Sequence, residues 1–179
     1  MAREKTMTLA NKITVLRIIA IPLFIIALVE GSMTWARILF LLSVFSDALD
    51  GTIARLRKER TPLGTFLDPL ADKLLLFSTF VVYTYLSWIP VWVFIIVVSR
   101  DLIIILGWTI VYILTGNSKI EPRILGKITT ALQMGLILIK LVEVPPAFYH
   151  GLLHTMIAVT ILSAIDYVWI GNKRLGAIS

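Results

Sequence analysis

Long apolar runs, each close to the length of a bilayer crossing, alternate with short polar breaks along this chain. A spanning helix needs about 20 predominantly apolar residues. Six stretches come near that, at 13–29, 33–49, 67–89, 90–115, 124–142 and 146–170. They are far longer than the roughly 10 residues of a barrel strand and lack its two-residue alternation. The pattern predicts an all-α, polytopic membrane protein with six transmembrane helices. The breaks carry their own stop signals: Glu30, Gly31 and Ser32 part the first two runs, and a charged stretch ending at Pro62 parts the second and third. Ser87 to Pro90 make a tight turn with Pro90 placed to open the fourth helix, Gly116, Asn117 and Ser118 are placed to stop it, and Pro145 with Pro146 to divide the fifth from the sixth. There is no internal repeat or low-complexity tract, so one domain over residues 1–179 is expected.

Charge placement orients the helices. Arg3, Lys5 and Lys12 precede the first span; Arg55, Arg57, Lys58 and Arg60 follow the second. Lys119, Arg123 and Lys127 surround the fourth connection, and Lys173 and Arg174 the carboxyl tail, while the alternate connections hold little beyond Arg37 and Lys140. Six spans and the positive-inside rule together put both termini in the cytoplasm. The first dozen residues are too polar for a leader's apolar core, so no removed signal peptide is expected. Met7, Leu9 and the charges beside them predict a short amino-terminal interfacial helix.

Composition narrows the chemistry. The chain of 179 residues is 58% hydrophobic and 16% charged, against about 25% charged in soluble domains, and its mean hydropathy is +0.91. With no cysteine, disulfides, thiolate metal sites and thiol nucleophiles are excluded. Only His150 and His154 offer imidazoles, and they fall near the far end from the acids, as interfacial polar residues. Any metal site must therefore be oxygen-rich, which suits Mg²⁺, Mn²⁺ or Ca²⁺. The net charge of +6 flanks the spans instead of forming a stripe, a pattern for lipid or substrate phosphate and not for nucleic acid.

Four of the six aspartates lie in one stretch. Asp47 and Asp50 are three apart at the end of the second span, and Asp68 and Asp72 four apart at the start of the third; both spacings put side chains on one helix face. Antiparallel spans joined by a short connection bring the two pairs to similar depth. The plain alternative is helix-end groups solvated at the interface or paired with bases, but an acid within a spanning helix costs up to about 3 kcal/mol on insertion scales, roughly 10 for four, and like charges repel. Two divalent cations convert that repulsion into ligation and suit phosphoryl-type transfer. Gly51, Ala54 and Gly64 are small enough for a flat nucleotide to approach the backbone, and Arg55 offers a cationic fork for a pyrophosphate.

Asp47-x-x-Asp50-Gly51-x-x-Ala54-Arg55, then eight residues, then Gly64-x-x-x-Asp68-x-x-x-Asp72, resembles the full signature of the CDP-alcohol phosphatidyltransferases. Asn11-x-x-Thr14-x-x-Arg17 with Pro22 opens the first span as in many bacterial members. The resemblance implies metal ligation by Asp47, Asp50, Asp68 and Asp72, with two Mg²⁺ or Mn²⁺ ions, and Asp72 as general base. It implies a cytidine pocket at Gly51, Ala54 and Gly64, Arg55 on the pyrophosphate, and attack of an acceptor hydroxyl on CDP-diacylglycerol with loss of CMP. It also implies a homodimer, in a bacterial cytoplasmic membrane, with a cytoplasm-facing cavity open to lipid.

Arg100, within the fourth span and followed by Asp101, is either a structural ion pair or a functional cation. Arg123 and Lys127, at the entrance to the fifth, are either topology anchors or its companions; together the three are candidates for an acceptor phosphate. Ser99-Arg100-Asp101 and Gly126-Lys127 resemble the branch that uses glycerol 3-phosphate, the phosphatidylglycerophosphate synthases. Trp108 stands where that branch often has a second arginine, and Thr129 and Gln133 after Lys127 resemble the CMP-forming cardiolipin synthases, whose acceptor is phosphatidylglycerol. A cation transporter also places acids in spanning helices, but with inverted repeats, broken helices and midplane sites, none of which the sequence shows. Asp166 in the last span is given no role beyond pairing with a base.

Overall fold

The computed structural model describes residues 8–56, 62–115 and 123–176. Among the described residues six helices follow one another: α1 (Leu9–Val29), α2 (Met33–Leu56), α3 (Pro62–Tyr85), α4 (Val91–Thr115), α5 (Ile124–Val142) and α6 (Pro146–Gly176). No strand occurs among the described residues. The chain divides into two compact units, residues 1–86 and 87–179. Of the expected amino-terminal interfacial helix, Met7 and the residues before it lie outside the described residues, while Leu9 to Lys12 form the first turn of α1.

In the first unit α2 and α3 both pack on α1. The buried stripe of α1 runs Asn11, Thr14, Arg17, Ile21, Phe24 and Leu28, at the three-to-four-residue spacing of one helix face. It is polar at its amino end and apolar beyond Ile21. Phe24 meets Phe40 of α2 with ring centroids 5.8 Å apart, and Ala36 and Ala71, both fully buried, let backbones approach closely. Gly31 closes α1. At φ +72° it takes the left-handed conformation that ends a helix in a Schellman motif: Ser32 N–H donates to the Ala27 carbonyl at 2.9 Å, and Gly31 N–H to that of Leu28 at 3.1 Å.

In the second unit α6 is the shared partner of α4 and α5. Its buried face reads Tyr149, Leu153, Met156, Thr160 and Ser163. Lys140, in the last turn of α5, lies 4.7 Å from the Trp88 ring centroid and 5.4 Å from that of Tyr149, a cation–π cluster. The Tyr149 hydroxyl donates to the Trp88 carbonyl. Pro146 opens α6, and the Pro145 carbonyl accepts from Phe148 and Tyr149.

The surface is inverted relative to a water-soluble protein. Leu16, Ile19, Leu23 and Ile26 of α1, and Ile161, Leu162, Ile165 and Trp169 of α6, are exposed, while Thr14, Arg17, Ser43, Thr79, Arg100, Gln133 and Ser163 are buried. Apolar outside and polar inside is the arrangement hydrocarbon imposes. Among the described residues four helices are long and apolar enough to cross a membrane: Asn11–Val29, Val91–Val111, Ile124–Val142 and Pro146–Asn172. The chain is an integral membrane protein.

Candidate active site

Three of the four clustered aspartates are drawn to one end of the first unit by α1. On α2 the stripe Ala36, Phe40, Ser43 leads at helical spacing to Asp47. On α3 Asp68 and Asp72 share a face with buried Leu75 and Thr79. The carboxylates thus project on the sides of α2 and α3 that bear on α1, and the polar end of α1 meets them.

The contacts are specific. Nη1 of Arg17 donates to Oδ1 of Asp47 at 2.7 Å and to Oδ1 of Asp72 at 2.9 Å. One nitrogen therefore joins carboxylates from two different helices. The Thr14 hydroxyl, one turn earlier on α1, donates to Oδ1 of Asp68 at 2.8 Å. The Arg17 side chain is 1% exposed, against 42% for Asp47 and 31% for Asp72, so the cation is enclosed and the acids reach outward. Gly64 is buried near the start of α3. Gly51, Ala54 and Arg55 lie on the last turns of α2, but their side chains, like that of Asp50, fall outside the described residues.

Whether this set suits a divalent cation is a matter of donor chemistry and convergence. Among the described residues no group of three or more acids or imidazoles is gathered as a metal cluster. The acids nevertheless supply hard anionic oxygens, the donor type of Mg²⁺ and Mn²⁺. Two of them, from separate helices, already converge on a single positive charge. The residues fit such an ion in kind.

The second unit gathers the three basic candidates around the start of α5. Arg100, 4% exposed, donates to Asp101 at 2.7 Å and to the Ser163 hydroxyl at 3.1 Å, and its guanidinium lies 5.9 Å from the Tyr167 ring centroid. Gly126 sits against both: a Cβ there would come within 3.1 Å of Arg100 Nη2 and 3.2 Å of the Tyr167 hydroxyl. One turn earlier Arg123 grips Asp166 with two parallel bonds of 2.9 and 2.7 Å. Lys127 is exposed. Helix starts favour anions, so this end of α5 combines three cations with a positive dipole. Both arginines carry carboxylate partners: Arg100 the Asp101 named by its ion-pair reading, and Arg123 the Asp166 of the last span, which had no role beyond pairing with a base. His150 and His154 are exposed on the first turns of α6, where His154 Nδ1 contacts the His150 carbonyl.

Sequence reasoning used Thr14 and Arg17 only as parts of a resemblance, and Asp166 only as an unassigned acid. The available signal for the first pair was an arginine three residues beyond a threonine inside an otherwise apolar span.

A family model described as CDP-alcohol phosphatidyltransferase matches residues 7–165. A probable cardiolipin synthase (CMP-forming) of Drosophila melanogaster is 34% identical over 151 residues, covering 75% of this chain and 47% of its own length. A probable phosphatidylglycerophosphate synthase of Mycobacterium tuberculosis is 28% identical over 188 residues, covering 98% and 87%. A CDP-diacylglycerol–glycerol-3-phosphate 3-phosphatidyltransferase of Bacillus subtilis is 34% identical over 142 residues, covering 70% and 72%.

Proposed function

This chain belongs to the CDP-alcohol phosphatidyltransferase family, and from that membership we propose that it transfers a phosphatidyl group from CDP-diacylglycerol to glycerol 3-phosphate, releasing CMP. It is a membrane enzyme of phospholipid synthesis. The observation that carries the reading is the convergence of Asp47 and Asp72, from two helices, on one guanidinium nitrogen. That geometry supports α2 and α3 carrying one shared anionic site.

Asp47, Asp50, Asp68 and Asp72 would hold two divalent cations, Mg²⁺ or Mn²⁺, which when bound would neutralise the carboxylates and supply electrostatic stabilisation to the transfer. Asp72 takes the proton of the acceptor hydroxyl on a carboxylate oxygen. That hydroxyl oxygen bonds to the phosphorus bearing the diacylglycerol, and the bond from this phosphorus to CMP breaks. Gly51, Ala54 and Gly64 line the cytidine pocket, and Arg55 pairs with the pyrophosphate. Arg100, Arg123 and Lys127 bind the acceptor phosphate. All six helices span, α2 and α3 with their acids near one face. Both termini lie in the cytoplasm of a bacterium, and residues 1–179 act as one domain in a homodimer.

A second reading keeps the chemistry and changes the acceptor to phosphatidylglycerol, making cardiolipin. Trp108, partly exposed on α4, favours it, because the glycerol 3-phosphate branch often has an arginine there. Detergent-purified protein with Mg²⁺ or Mn²⁺ and CDP-diacylglycerol, given one acceptor at a time, decides between them. CMP release with glycerol 3-phosphate alone is the expected result. Release with phosphatidylglycerol alone would move the protein to cardiolipin synthesis, and release with neither would sink the reaction.

A further inference from the structure

The buried guanidinium of Arg17 needs a reason to be where it is. Arg17 lies in the amino-terminal half of the α1 span, where a charged side chain is still costly to place, and neutralising the aspartates would account for it only in part. A counter-ion needs proximity alone. Arg17 instead divides one nitrogen between Oδ1 of Asp47 and Oδ1 of Asp72, which fixes the separation of two carboxylates carried by different helices. Thr14 adds a neutral hydrogen bond to Oδ1 of Asp68, where charge compensation plays no part.

We propose that Arg17 and Thr14 are positioning residues, through which α1 sets the orientation of three metal-holding carboxylates that it does not itself carry. The terminal torsion of aspartate is broad and two-fold, so a carboxylate as exposed as Asp47 or Asp72 has little packing to fix its plane. A bond to one oxygen fixes that plane and aims the other oxygen. Partners of this sort behind ligating carboxylates are worth 10–100-fold in metal affinity or activity in general. Arginine suits the task better than lysine, because its charge is permanent and its donors lie in a rigid plane.

The proposal rests on the aspartates being the metal ligands, and electrostatics supplies a test with opposite signs. A positive charge beside a divalent cation repels it. If Arg17 acted as a charge alone, removing it would tighten metal binding; if it orients the ligands, removing it weakens binding. Full-length protein in detergent, without substrate, is titrated with Mn²⁺ while the free-ion signal is followed by electron paramagnetic resonance. Arg17→Gln is expected to weaken binding by about tenfold or more, with Arg17→Lys recovering part. Thr14→Val removes no charge and keeps the side-chain shape, so it carries the test even if the arginine variants fail to fold. It is expected to weaken binding, and Thr14→Ser to restore it. Unchanged or tighter Mn²⁺ binding in Arg17→Gln and Thr14→Val, with binding lost in Asp47→Asn, overturns the positioning role. Wild-type binding in Asp47→Asn instead overturns the ligand reading, and the proposal falls with it.

Discussion

Asp68 and Asp72 sit one turn apart on α3, yet different groups reach them from α1: a hydroxyl on the first and a guanidinium on the second. That difference bears on the base. Asparagine at Asp72 keeps the shape but accepts no proton, and it can turn an amide donor towards a residue that only donates. Asp72→Asn is therefore expected to cut CMP release by about 10²-fold or more while CDP-diacylglycerol binding survives. Turnover and equilibrium nucleotide–lipid binding, measured on the same preparation, check this, and wild-type turnover would remove Asp72 from the role of base. The acids themselves were legible, because spacings of three and four on adjoining spans imply a shared face. Their partners were not. Arg17 lies 30 residues before Asp47 and 55 before Asp72, and nothing local says which acid an arginine that far away will meet. The parts given to Asp50, Gly51, Ala54 and Arg55 come from the motif.

At the scale of the helix, hydropathy located every element but not every end. The second run was expected to stop at 49 and the third to begin at 67, whereas α2 continues to Leu56 and α3 starts at Pro62. Backbone hydrogen bonding continues where apolar character fades, so a polarity pattern marks the bilayer edge and not the helix end. The third run reads through to 89, but α3 ends at Tyr85, and Ser87, at φ 57°, begins the tight turn that the sequence places before Pro90. Gly31 and Glu143 make a useful pair. Both occupy the left-handed region just past a helix, at φ 72° and 60°, and only one is glycine. A Cβ on Gly31 would meet nothing within 4 Å, so Gly31→Ala isolates the backbone cost. It is expected to destabilise the protein by about 1 kcal/mol. Reversible unfolding in mixed detergent micelles measures it, and an unchanged midpoint would show that the α1 stop does not depend on glycine.

For the whole molecule, inside-out polarity makes the membrane assignment independent of any motif, and the basic residues add a direction. Because the chain has no cysteine, single cysteines report sidedness without background. If both termini are cytoplasmic, as proposed, Glu30→Cys in intact cells is expected to react with an impermeant maleimide, and Ser179→Cys only after the membrane is opened. The reverse pattern would invert the orientation. The hub helices also sit at opposite ends of the chain, α1 first and α6 last, and this gives assembly an order in time. At about 5–20 residues per second, Arg17 emerges from the ribosome seconds before either of its carboxylate partners exists. In the interim its long stem can carry the charge towards the interface, and the first helix settles only when α2 and α3 bring their acids. In the second unit the sequence of events is reversed: α4 and α5 wait for the last helix made. The aspartates proposed to serve the reaction would thus close the first unit early in synthesis, and the second would not close until synthesis is nearly over.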